Sequence, residues 1–227
     1  MHISEKKPKI ALDGPAGAGK SSVARELARR LKIKYLDTGA MYRSVTCASI
    51  LYEISSDDEN SSGDLAKNIT PKFKGKELKY YINNLHIMPF IRSIPVNESV
   101  SEVSVHKSVR ETLVDLQRSL SYDNPYNGTV MEGRDTGTVV LPQADLKIFL
   151  TASIKERIRR RIEQYEEQGL DVDYETIKKD LEKRDRIDST RAISPLKIAD
   201  DGIELDSTNL SIEEVITKIK ELIVSEG

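Results

Sequence analysis

Gly14-Pro15-Ala16-Gly17-Ala18-Gly19-Lys20-Ser21, with Ser22 behind it, fits the spacing G-x-x-x-x-G-K-[ST] in full. Its chemistry is the holding of a nucleoside triphosphate. The glycines let successive backbone N–H groups turn inward around phosphate oxygens, and the start of a helix adds about half a positive charge. In such a loop Lys20 reaches the β- and γ-phosphates and the Ser21 hydroxyl ligates Mg²⁺. The string specifies ATP or GTP and leaves the reaction open.

Three further strings narrow it. Asp37-Thr38-Gly39-Ala40-Met41-Tyr42-Arg43 follows a short apolar run, so it falls at the carboxyl edge of a sheet, where open α/β folds bind ligands; Arg43 then projects from a helix toward a second phosphate group. Glu132-Gly133-Arg134-Asp135-Thr136-Gly137-Thr138-Val139-Val140-Leu141-Pro142 follows another. Arg184-Asp185-Arg186-Ile187-Asp188-Ser189-Thr190-Arg191 puts Arg184, Asp188 and Arg191 at i, i+4 and i+7, one face of a helix.

Taken together, the glycine-rich loop, D-[ST]-G-x-x-Y-R, G-R-D-x-G-T-V-V-x-P and R-D-x-x-D-x-x-R-x-x-x-P-L resemble the cytidylate kinases, from Lys9 to the end of the chain. The resemblance implies an α/β P-loop nucleoside-monophosphate kinase fold. Its parallel five-stranded sheet is flanked by helices and carries a monophosphate-binding insertion and a short helical lid. It implies transfer of the γ-phosphate of ATP to CMP or dCMP, with Mg²⁺ as cofactor. Arg43, Arg134 and Arg191 would hold the acceptor phosphate, Thr38 and Tyr42 would line the same pocket, and Arg184 with Asp188 would meet the sugar. Ser101, Arg110 and Asp135 would read the cytosine, with Ser101 and Arg110 lying in less distinctive sequence. Lys20, Arg134, Arg191, Asp37 as an outer-shell partner of Mg²⁺, and Arg160 swinging over the transferring group from the lid cluster Arg157 to Arg161 are the expected catalytic set. Adenylate, shikimate and P-loop uridylate kinases fit less well, and neither N-K-x-D nor D-x-x-G of a switch GTPase is present.

The elements that must position these residues follow from periodicity. Strands are expected at Lys9 to Asp13, Lys34 to Leu36, Thr129 to Glu132, Leu146 to Leu150 and Ile203 to Asp206. Helices are expected at Lys20 to Leu31, from a Thr38 N-cap through Leu51, near Pro95 to Val105, and at Lys107 to Leu120. A charged helical pair broken at Gly169 follows, and a closing helix is opened by the capping box Ser211 with Glu214. The polar stretch within Glu53 to Lys79 reads as an insertion with a small antiparallel piece around Asn83-Asn84, its strands at Tyr80 to Ile82 and His86 to Met88. The expected division is core 1–40, monophosphate-binding region 41–125 with an insertion near 53–95, core 126–154, lid 155–191 and core 192–227.

Composition excludes several other classes. The 227 residues suit one main domain, and a formal net charge of −2 gives no reason to expect nucleic acid. No apolar run approaches a membrane span and the start is polar, so the expectation is a cytoplasmic monomer whose partners are ATP and CMP or dCMP, without membrane. Cys47 is the only cysteine and falls in an apolar pattern, and His2, His86 and His106 share no metal-ligand spacing.

Overall fold

The computed structural model describes residues 7–74, 77–122 and 128–225. Strands β1 (Lys9–Asp13), β2 (Lys34–Asp37), β6 (Thr129–Glu132), β7 (Leu146–Thr151) and β8 (Ile203–Asp206) form a five-stranded sheet in the order β2-β6-β1-β7-β8. Every pairing in it is parallel. Parallel strands are buried on both faces, which is why these runs are apolar without alternation: Ile10, Leu12, Val130 and Leu150 have no exposed surface. On one face the core is completed by Val23, Ala24 and Leu27 of α1 (Lys20–Leu31) and by Val215, Ile216 and Ile219 of α8 (Ile212–Ser225). On the other, Leu36 and Met131 meet Val114 of α5 (Lys107–Tyr122) and Val140 of a π-helical turn at Thr136–Val140. The chain leaves β1 toward β2 and later crosses to β7 on the opposite side, so the reversal in strand order lies beside β1, at the carboxyl ends.

Between α2 (Thr38–Leu51) and β6 lies an insert with its own core. Helix α3 (Glu59–Lys67), a three-stranded sheet of β3 (Ile69–Lys74), β4 (Glu77–Ile82) and β5 (Leu85–His86), and α4 (Ile94–Val103) precede α5. Tyr80, Ile82, Ile87, Val96 and Val103 close over Val45, Cys47 and Ala48 of α2, so Cys47 is a core residue. A charged helical pair, α6 (Ile154–Glu166) and α7 (Tyr174–Thr190), projects after β7, with Gly169 at φ +74° in the turn. Its small core of Ile158, Ile177 and Leu181 includes Ala16 from the glycine-rich loop.

Several expectations are corrected. The N-cap of α2 is Asp37, whose side chain accepts from the Ala40 N–H; Thr38 is already helical, and its hydroxyl donates to the Glu132 carbonyl. The polar stretch before Lys67 holds α3, capped by Asp58. The antiparallel piece gains β3, whose Pro71 lies on an edge strand where its missing N–H is tolerated. Pairing of its last strand stops at His86, and Ile87 turns into the core instead. Arg191 is not on the helix with Arg184 and Asp188 but is its C-cap, at φ −59° and ψ 142°. The Ser211–Glu214 capping box forms in both directions, at 2.8 and 3.2 Å.

Candidate active site

Four of the five sheet strands end in a carboxylate, and three of those strands are neighbours. Asp13, Asp37 and Glu132 close β1, β2 and β6, which are neighbours, so one rim of the sheet carries all three. Each is engaged differently. Glu132 accepts from the Ser21 hydroxyl at 2.8 Å and from the Tyr35 hydroxyl. Asp37 caps α2 with one oxygen and accepts from Arg92 at 3.1 Å with the other. Asp13 accepts from the backbone N–H groups of Thr136 and Gly137 at 2.8 and 2.7 Å.

The glycine-rich loop wraps the start of α1 beside this rim. Gly14 sits at φ +144°, and a Cβ there would meet the Leu150 carbonyl at 1.9 Å, so no other residue fits. Lys20 is buried and donates to the Pro15 carbonyl at 2.7 Å. Burial, seconded by Arg134, pushes its ammonium well below the usual lysine range, against the pull of Glu132 and Asp13. Burial and the Asp37 charge push the Glu132 carboxyl up, opposed by Lys20 and by the Tyr35 and Ser21 hydroxyls.

In front of the loop opens a cavity of about 300 Å³, walled by Ala16, Gly17 and Gly19 to Ser22, by α2 through Asp37, Thr38, Tyr42 and Arg43, and by α4 through Asn97 and Ser101. Glu132 to Asp135 form its floor, and α6 and α7 its far wall. Gly133 permits that floor: a Cβ would come within 2.5 Å of the Thr136 hydroxyl and 2.6 Å of the Thr38 hydroxyl. Arg134 donates to Asp188 at 2.8 Å, and the Asp188 carboxylate lies 3.7 Å from Arg191. Arg110 and Asp135 form a fully buried ion pair, and Arg110 also donates to the Ser104 carbonyl at 3.0 Å. Arg134 and Asp135 therefore do not pair with each other. Buried N–H groups of Arg43, Arg110, Arg184 and Arg191 have no hydrogen-bond partner among the described residues, the condition of donors awaiting an anion. Burial lowers the Arg43 guanidinium to about 10. Burial would also raise the Asp188 carboxyl, but Arg134, Arg191 and Arg184 hold it below its usual range.

The expected site residues thus converge, with some outside the wall. Gly14, Pro15 and Ala18 shape the loop from behind rather than lining the cavity. Arg160 also lies behind it, donating to the Ala18 carbonyl at 3.2 Å and to the Ser207 carbonyl at 2.7 Å, while its neighbour Arg161 faces the cavity. Arg160, expected to swing over the transferring group, is thus held by the Ala18 and Ser207 carbonyls in this structure and does not line the cavity. Sequence reasoning also passed over Asp13, Glu132, Arg92, Asn97 and Ser104. The signal for two of these was available, since an acidic residue closing successive apolar strands marks a charged sheet edge.

Ser21, Glu132 and Asp37 supply hard oxygen donors of the kind Mg²⁺ takes. Among the described residues no group of three or more His, Cys, Asp or Glu forms a metal cage. The set suits a cation that arrives on nucleotide phosphates and keeps water ligands.

The cytidylate kinase family model matches residues 10–225. The chain belongs to the cytidylate kinase family. A cytidylate kinase of Geobacillus sp. (strain WCH70) is 46% identical over 217 residues, covering 95% of this chain and 96% of the relative. One of Bacillus subtilis (strain 168) is 44% identical over 224 residues, covering 96% and 97%. Among solved structures, an uncharacterised protein from Eubacterium ventriosum has a TM-score of 0.52 at 14% identity, covering 96% of this chain and 99% of that one, a likeness of fold. As a cytidylate kinase family member the chain is a phosphotransferase.

Proposed function

We propose that the chain transfers the γ-phosphate of ATP to CMP or dCMP, giving ADP and CDP or dCDP. The observation that carries this reading is the pairing, in one cavity, of a triphosphate loop with a wall of buried arginine N–H groups that lack a hydrogen-bond partner among the described residues. ATP lies on Gly14 to Ser22 with Lys20 at the β- and γ-phosphates. The acceptor phosphate lies on Arg43, Arg134 and Arg191, the sugar on Arg184 and Asp188, and the base against Ser101, Arg110 and Asp135, with Thr38 and Tyr42 beside them. Planar guanidinium forks bind phosphate bidentately and stay charged when buried.

Transfer needs little covalent chemistry, because the acceptor oxygen is already ionised at neutral pH. Bound with the triphosphate, Mg²⁺ would supply charge neutralisation to the phosphate oxygens. Ser21 would ligate it, with Glu132 and Asp37 behind. Lys20 and the arginines align the two phosphates and offset the charge that their approach concentrates. Arg161, on the cavity side of α6, is the lid arginine suited to the transferring group. In this reading residues 41–125, with the insertion near 53–95, form the monophosphate-binding region, 155–191 the lid, and 1–40, 126–154 and 192–227 the core. No described helix is long and apolar enough to cross a membrane, and we take the enzyme to be a cytoplasmic monomer that binds no nucleic acid.

The test is ATP-dependent phosphorylation scored across AMP, GMP, CMP, dCMP, UMP and shikimate. CMP and dCMP should lead by at least tenfold in kcat/KM; a lead by any other acceptor sinks the assignment.

A further inference from the structure

Asp135 stands at the N-cap of the π-helical turn Thr136–Val140, at φ −141° and ψ 22°, yet its side chain makes no cap hydrogen bond. This is unusual chemistry for an aspartate, which is among the strongest N-cap residues because its carboxylate satisfies the orphan N–H groups of a first turn. Two of those groups are satisfied from elsewhere. Asp13, last residue of β1 and 6% exposed, accepts the Thr136 N–H on one oxygen and the Gly137 N–H on the other, at 2.8 and 2.7 Å. The Asp135 carboxylate is thereby released to face Arg110 in the cavity. A Cβ on Gly137 would meet Asp13 at 3.4 Å and Lys147 at 3.3 Å, so the turn is held close against that carboxylate.

We propose that Asp13 is a positioning residue for acceptor choice: by capping the Thr136–Val140 turn in place of Asp135, it keeps the Asp135 carboxylate presented to the nucleobase. The residue that precedes the triphosphate loop thus organises the acceptor side. Without Asp13, the turn recruits its own N-cap side chain, Asp135 rotates back onto the Gly137 N–H at the second position of the turn, and Arg110 loses its carboxylate partner while keeping the Ser104 carbonyl. The inference rests on the reading that Asp135 meets the base.

The experiment compares Asp13→Asn, Asp135→Ala and the double variant, with kcat/KM for CMP and UMP, Kd for ATP and Tm measured for each. Asparagine keeps the shape and one acceptor oxygen but cannot accept both N–H groups. The expected result is a CMP to UMP preference about fivefold or more below wild type in Asp13→Asn, with Kd for ATP within about twofold. The double variant should fall no further in that ratio than Asp135→Ala, because both substitutions remove the same presented carboxylate. A wild-type ratio in Asp13→Asn beside a lowered one in Asp135→Ala, or additive losses in the double variant, overturns the inference alone. An unchanged ratio in Asp135→Ala overturns the reading of the base pocket and this inference with it. Should Asp13→Asn not fold, Asp13→Ser, which shortens the side chain and leaves a single hydroxyl acceptor, takes its place, and the same fall in the ratio is required.

Discussion

Lys20 is an ammonium that the fold makes uncomfortable. It is 6% exposed, its charge is opposed by burial and by Arg134, and among the described residues its ammonium donates to the Pro15 carbonyl within its own loop. A phosphate would relieve that condition, so Lys20→Ala should reduce kcat by about 10²-fold or more while leaving Tm close to wild type; wild-type turnover would refute the loop's role. Asp188 is the converse, a carboxylate held below its usual range among Arg134, Arg191 and Arg184 despite burial. A depressed carboxylate stabilises the fold fully above its unfolded value, about 4, and loses that contribution as the pH falls further toward the folded value. The Tm gap between wild type and Asp188→Asn should therefore be constant from about pH 6 to 8 and narrow below about pH 4. A gap independent of pH would mean that the charge is not what Asp188 supplies. At this scale the sequence was most readable, because loop glycines and clustered arginines announce their chemistry by type. What it hid was partner choice: Arg134 pairs with a residue 54 positions away, a fact of packing.

At the scale of elements, the core strands and long helices could be read from apolar periodicity, since burial on both faces or along one stripe dictates residue type directly. The insert was less legible. Strand β3 carries Pro71, which reads as a breaker until its edge position is known, and α3 is a short helix whose apolar face is only Leu65 and Ala66. Helix α6 shows the same limit at finer grain. Arg157, Arg159, Arg160 and Arg161 are alike in sequence, and only the docking of the helix against the loop separates them. Arg157 and Arg160 hold loop carbonyls at Ala16 and Ala18, Arg159 pairs with Glu156 and Glu163 at the surface, and Arg161 lines the cavity. Arg161→Ala should therefore lower kcat with little change in Tm. Arg160→Ala should lower Tm and raise KM for ATP, since it frees two carbonyls and the loop they steady. Reversed phenotypes would restore Arg160 to the reacting group.

Across the whole molecule, the cavity is closed by two units that flank it, the insert through α4 and the helical pair through α7. They meet at Glu102, which accepts from Lys183 at 3.0 Å on one oxygen and from Ser56 at 2.8 Å on the other. Lys183 and Glu102 are 53% and 41% exposed, and an ion pair so placed is worth at most about 1 kcal/mol. A contact that weak cannot determine the fold, but it ties α4 to α7, two helices that wall the cavity from opposite units, where the same energy acts on the balance between open and closed forms. A shift of about 1 kcal/mol there is about fivefold in the closed population. Lys183→Ala should thus raise KM for CMP by up to about fivefold and leave Tm within a few degrees. The kcat should be unchanged, or raised where reopening limits turnover. Raising the salt should move the wild-type KM toward that of the variant, because an exposed pair is screened. Steady-state kinetics on both proteins at about 0.05 and 0.5 M salt makes the comparison. Equal KM values for the two proteins at low salt would mean that the pair decorates a surface and takes no part in closing it.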